Sequence, residues 1–224
     1  MQEIVNIILA GIVDRRGVSE ATAYLLKRIY IARTVDAKSP WTAGHSERVT
    51  SLSLKIGKAL GLTSENIDIL HRGGLLHDIG KIGIPNSILN KPAKLEDNER
   101  ILIMQHPEKG ALILEPIKAY AEIIPVVVQH HEWFNGHGYP RGLKGADIYI
   151  GARILAVADV YDALSSDRPY RAGWDKDAVI GYLREKAGLQ FDPEVVRACE
   201  QVISEPFADQ LAYSSISNYP ERGI

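Results

Sequence analysis

At 224 residues, 46% hydrophobic and 24% charged, the chain has the make-up of a globular protein with one core or at most two, which excludes the disordered and fibrous classes. A formal charge of -2 and a pI near 6.4 exclude a broad basic surface for long nucleic acid, so any nucleotide ligand is expected to be small. The single cysteine, Cys199, cannot form an internal disulfide and points to a reducing compartment, the cytoplasm.

In chain order, the run Ile4 to Ala10 is apolar but has no basic leader and is broken by Asp14-Arg15-Arg16. Neither a signal peptide nor a membrane anchor is expected there. Ala21 to Arg33 is an apolar-rich helical stretch, and residues 1–35 are read as a separate linker or dimerising helix, the element through which a homodimer would form. Val49, Leu52, Ile56 and Leu60 recur at helical spacing before Gly61, which is placed to end that helix, and Ile67, Leu70, Gly74 and Leu75 continue the pattern. Turn residues mark loops at Gly83-Ile84-Pro85-Asn86, at Asn90-Lys91-Pro92 and through the glycine-rich segment 135–149, whose length makes it a candidate functional loop. Asp175 and Asp192 each precede a helical stretch, the second with Pro193 at the favoured first position. With no useful strand-alternating run and no repeat, the expected fold is all-α: a helical bundle over 36–205, followed by a weakly periodic tail over 206–224.

The chemistry rests on histidine. Five of the seven, His45, His77, His106 and the adjacent His130-His131, stand beside polar or acidic neighbours, and His77-Asp78 offers an imidazole and a carboxylate from consecutive positions. Those are the donor types of divalent transition metals, and one carboxylate can bridge two cations. His130 and His131 would lie about 100° apart on a helix, yet both can enter one cavity from a helix end. His71, six residues before His77, falls on another face, and His137 reads as an exposed loop side chain.

Taken in order, Gly44-His45-Ser46, Leu76-His77-Asp78-Ile79-Gly80-Lys81-Ile82-Gly83-Ile84-Pro85, His106-Pro107, His130-His131-Glu132 and Gly138-Tyr139-Pro140 resemble the HD-GYP family. The likeness runs on through Arg153 to Leu164 and through Asp167-Arg168-Pro169-Tyr170-Arg171. It implies an HD-type helical bundle with two divalent transition-metal ions, iron or alternatively manganese. Such a domain hydrolyses cyclic di-GMP to linear pGpG or GMP. By motif the ligands are His45, His77, Asp78, His106, His130, His131 and Asp159, with Asp78 as the bridge. A water held by two cations has its pKa lowered from about 15.7 to roughly 7, which supplies a nucleophile for phosphorus.

Lys81 is placed to reach a nonbridging phosphate oxygen, and Arg168 and Arg171 the other phosphate or a guanine edge. Tyr139 and Pro140 would wall the substrate, and the same loop is the expected contact for a GGDEF-domain partner. Glu132 is expected to orient a histidine. Trp41 stands where some members carry a glutamate and a third metal, so two metals are expected here; Ser39 and Asn135 replace aspartates common in the family. Two alternatives stay open: a catalytically silent cyclic-dinucleotide sensor or GGDEF-docking module, and a hydrolase of another cyclic dinucleotide.

Overall fold

A computed structural model describes residues 32–38, 44–167 and 171–204. Among them every regular element is helical, and extended pairing is confined to isolated bridge positions such as Ala187 with Phe191, so the all-α expectation holds. Of the expected N-terminal segment only residues 32–35 are described, and the tail 206–224 lies outside the described residues.

Helix α1 (His45–Ala59) buries Val49 and Ile56 completely, and Leu52 and Leu60 pack partly buried beside them. Each such aliphatic side chain removed from water contributes about 1.5–3 kcal/mol. Gly61 adopts φ +73°, a left-handed conformation that stops the helix where the sequence placed the stop. Thr63 Oγ1 accepts from Asn66 N and opens α2 (Ser64–Leu76). A 3-10 turn (Ile79–Gly83) follows directly, and the loop expected at Gly83-Ile84-Pro85-Asn86 shrinks to a two-residue link because Asn86 already begins α3 (Asn86–Leu89). Pro85 favours that early start: its carbonyl accepts from both Ile88 N and Leu89 N.

Helices α4 (Asp97–Met104), α5 (His106–Leu114) and, after a second 3-10 turn (Lys118–Ile123), α6 (Ile124–Gln129) lead into the long loop. That loop runs to α7 (Ile150–Ser165) with one short 3-10 turn, Gly145–Asp147. Helix α7 is apolar almost all round, which marks it as the buried central element. It is packed by α1, α2, α6, α8 (Lys176–Lys186) and α9 (Pro193–Ser204). Asp175 caps α8 by accepting from Ala178 N, and Asp192 opens α9 by accepting from Glu194 N, as their positions before helical stretches predict.

Candidate functional site

Seven side chains arrive at one place from five helical elements. His45 opens α1, His77 and Asp78 follow the C-terminal end of α2, His106 opens α5, His130 and His131 follow α6, and Asp159 projects from α7. His45, His77 and Asp78 form one group whose ligand atoms lie within 4.8 Å of one another, and His106, His130 and His131 form a second. Asp78 joins them, with Oδ2 3.5 Å from His77 Nε2 and Oδ1 3.2 Å from His106 Nε2. Asp159 Oδ1 lies 3.2 Å from His45 Nε2. The rings of His130 and His131 are 4.1 Å apart because α6 ends at Gln129 and the backbone turns there. His71 and His137 join neither group.

The direction of the imidazoles decides what the site can hold. Nδ1 of His77 lies 2.7 Å from Gly74 O, Nδ1 of His106 2.8 Å from Ile103 O, and Nδ1 of His130 2.7 Å from Val127 O. A carbonyl only accepts, so each Nδ1 carries a proton, and in the neutral imidazole each Nε2 then presents a lone pair to the site. His106 Nε2 and His130 Nε2 then face each other at 3.2 Å with no proton between them. The same holds for His106 Nε2 and Asp78 Oδ1, and Asp78 Oδ1 and His77 Nε2 are buried without a hydrogen-bond partner. Converging lone pairs with no donor repel one another and are costly to bury. A divalent cation among them removes that cost, and imidazole with carboxylate is the donor set such cations take. The residues present therefore fit the metals that the sequence implies.

The electrostatics agree. Burial works to raise the Asp78 carboxyl, but the Lys81 ammonium beside it outweighs that and holds it well below the ordinary carboxylate range. Asp159 is likewise lowered against burial, chiefly by His45. Burial pushes His130 well down and pushes His131 down to about 3. Burial also opposes the charge on His45, but hydrogen bonds to Asp159 and Asp162 override it and hold this imidazole up at about 10.

His45 differs from those three in the partner of its Nδ1. Its Nδ1 instead meets Asp162 Oδ2 at 2.8 Å, and Arg48 holds that carboxylate through Nε at 2.6 Å and Nη2 at 3.0 Å. This carboxylate–imidazole pairing orients the ring and strengthens its Nε2 as a donor. Neither Asp162 nor Arg48 was singled out from sequence. The available signal was spacing: Asp162 stands one turn beyond Asp159 on the same face of α7.

Lys81 Nζ lies 2.5 Å from Asp78 Oδ2, and its pKa is raised because Asp78 and Asp159 outweigh its burial. Tyr139, joined to Pro140 by a cis peptide bond, stacks its ring on His131 at 4.8 Å and so forms part of the site wall. Glu132 is buried and orients no histidine; it accepts from the amides of Arg141 and Leu143 at 2.7 and 3.0 Å and pins the glycine-rich loop. Asn135 takes a turn role, its Oδ1 accepting from His137 N. The Arg171 guanidinium donates to the carbonyls of Ala163 and Leu164 at the end of α7 and to that of the neighbouring Ala172. Arg168, Ser39 and Trp41 lie outside the described residues.

A family model described as "HD domain" matches residues 30–195. A 3'3'-cGAMP-specific phosphodiesterase of Vibrio cholerae is 39% identical over 172 residues, which cover 77% of this chain and 37% of that protein. A cyclic di-GMP phosphodiesterase of Pseudomonas aeruginosa is 43% identical over 159 residues, 70% of this chain and 38% of that protein. The chain thus spans well under half the length of these relatives. Among solved structures, an HD-GYP protein of Bdellovibrio bacteriovorus superposes with a TM-score of 0.63 at 19% identity, covering 91% of this chain and 70% of that one. Among the described residues no helix is long and apolar enough to cross a membrane.

Proposed function

Because this chain belongs to the HD-domain family, in its HD-GYP form, we propose that it is a metal-dependent phosphodiesterase that opens a cyclic dinucleotide, cyclic di-GMP, to linear pGpG or on to GMP. The observation that carries this reading is the pair of three-residue groups that Asp78 of one links to His106 of the other, with imidazole lone pairs that meet no donor. Two cations, iron or manganese, held by His45, His77, Asp78, His106, His130, His131 and Asp159 would supply a water acidified from about 15.7 to roughly 7 and neutralise charge on the phosphate.

The chain's own residues supply the rest. Lys81 keeps its proton and offers it to a nonbridging phosphate oxygen while still pairing with Asp78. Asp162 and Arg48 hold the His45 ring in place, and Tyr139 with Pro140 closes the wall beside His131. Arg168 and Arg171 are the candidates for the second phosphate, and Arg171 reaches it only by releasing the α7 carbonyls. GGDEF docking at the loop remains an expectation of the family resemblance, and homodimer formation through 1–35 one of the helical sequence pattern there.

A second substrate is favoured by a specific finding: the Vibrio relative is named for 3'3'-cGAMP, the Pseudomonas relative for cyclic di-GMP. The test is incubation of the iron- or manganese-loaded protein, under reducing conditions, with each dinucleotide and chromatography of the products. A linear product from either supports hydrolysis, and the ratio of rates assigns the substrate. Tight binding with no product from either would replace hydrolysis by the sensor reading.

A further inference from the structure

The turn after Asp78 is held from behind by a residue that belongs to none of the motifs. The 3-10 turn Ile79–Gly83 ends with carbonyls that lack partners within their own helix, as every helix end does. Three of the carbonyls in and just beyond this turn converge on Lys38 Nζ: Lys81 O at 3.0 Å, Ile82 O at 2.8 Å and Ile84 O at 2.8 Å. An ammonium has three donors and no acceptor, so this seat saturates it. Its charge is met by carbonyl dipoles, and burial lowers its pKa.

The rest of the short segment fixes Lys38 in place. Lys38 O accepts from Asn90 Nδ2 at 3.0 Å, and Asp36, buried, accepts from Ser46 N and Oγ at 3.2 and 2.8 Å. Residues 36–38 therefore tie the start of α1, which carries His45, to the turn that carries Lys81. The Lys81 carbonyl takes a second hydrogen bond, from Ile84 N at 3.0 Å, so two donors set the peptide plane from which the Lys81 side chain departs toward Asp78.

We propose that Lys38 is a positioning residue whose ammonium acts as a built-in monovalent cation, seated on the carbonyls of Lys81, Ile82 and Ile84, and fixes the direction of Lys81 at the site. Its kinetic consequence rests on the role given to Lys81 above, but its structural consequence does not. Without the ammonium, three carbonyls that point at one spot repel, and the turn relaxes away from that spot.

The experiment has a structural and a kinetic arm. Lys38→Met should leave metal content unchanged, speed hydrogen–deuterium exchange in the peptide spanning 79–89, and lower kcat by about 10- to 100-fold, the cost of a misplacement of up to 1 Å. Added to Lys81→Met, it should lower kcat no further, since residues acting as a unit are not additive. Lys38→Ala should recover slow exchange and part of its kcat in n-propylammonium, which replaces the missing atoms, but not in n-propanol. If Lys38→Met does not fold, Lys38→Gln carries the same measurements. Unchanged exchange in the folded variant, additive losses with Lys81→Met, or equal recovery in propanol would each overturn the proposal. If the wild-type protein hydrolyses neither dinucleotide, the exchange arm still decides on Lys38 while the phosphodiesterase reading fails.

Discussion

Replacing Gly80 by alanine tests whether the two metal-binding groups depend on a backbone-to-backbone contact. A Cβ built at Gly80 overlaps the His106 carbonyl oxygen outright and sits 2.6 Å from Gly110 N and 2.9 Å from the His106 carbonyl carbon. Moving Gly110 N from 2.6 Å to an ordinary 3.4 Å requires a retreat of about 0.8 Å, and the His106 carbonyl must retreat further. Both atoms are backbone of α5, so no side chain can rotate away, and the helix that begins with His106 must shift as a body. His106 Nε2 then leaves its 3.2 Å position at Asp78 Oδ1, where the two groups meet.

Overpacking costs about 1–3 kcal/mol, and a backbone clash belongs at the upper end. At roughly 2–4 °C per kcal/mol for a domain of this size, Tm should fall by about 6–12 °C. A displacement near 1 Å at the reacting centre costs about 100-fold in kcat, equivalent to about 2.7 kcal/mol. Thermal melts, metal content and dinucleotide turnover of Gly80→Ala are the assays. A variant that melts within 2 °C of the parent and holds its full metal complement would refute the close packing of this turn against α5.

Asp162→Asn should keep the fold but weaken metal binding about 10- to 100-fold, because the amide orients His45 less firmly and carries no charge; titration calorimetry measures it. Metal uptake by the His45 group should expel a proton at pH 7, since that imidazole is held at about 10, whereas His130 and His131, depressed by burial, enter their group already neutral. Calorimetry in two buffers of different ionisation enthalpy reads the proton. In metal-free protein the raised His45 value has a definite sign. Its stabilisation is complete below about pH 6.5, the unfolded value, and is lost as the pH rises toward 10, which denaturant melts at pH 6 and pH 9 would show. Glu132→Ala strands two loop amides, so stability should fall by about 2–3 kcal/mol and exchange across 135–143 should accelerate. Chelation should abolish turnover and lower Tm, and iron or manganese should restore both.

Where the sequence could be read, it was because local pattern and final role coincide. Val49 and Ile56 repeat at helical spacing and are fully buried; Gly61 stops α1 in the conformation that glycine favours. The clustered histidines were legible because imidazoles in polar company are hard to explain otherwise, and because His130 and His131 adjoin a helix end. What escaped notice depends on tertiary approach. Lys38 reaches carbonyls 43 to 46 positions away, and Asp162 meets His45 across a separation of 117, distances that no local spacing encodes. Glu132 sat beside two clustered histidines and invited a role in orienting them, but its carboxylate turns instead to the amides of the following loop. Arg171 reads as an anion contact until α7 is seen to end where its guanidinium lies.

The three imidazoles tethered to carbonyls three residues earlier have a consequence for how the pocket is tuned. Each ring takes its aim from the last turn of the helix just before it, so the aim is set within a few residues and without help from distant parts of the chain. Unravelling of α2, α4 or α6 by one residue swings a donor atom out of register. Cations held by the two groups would in turn suppress end-fraying in three separate helices, and amide protection at Gly74, Ile103 and Val127 should rise and fall together with occupancy.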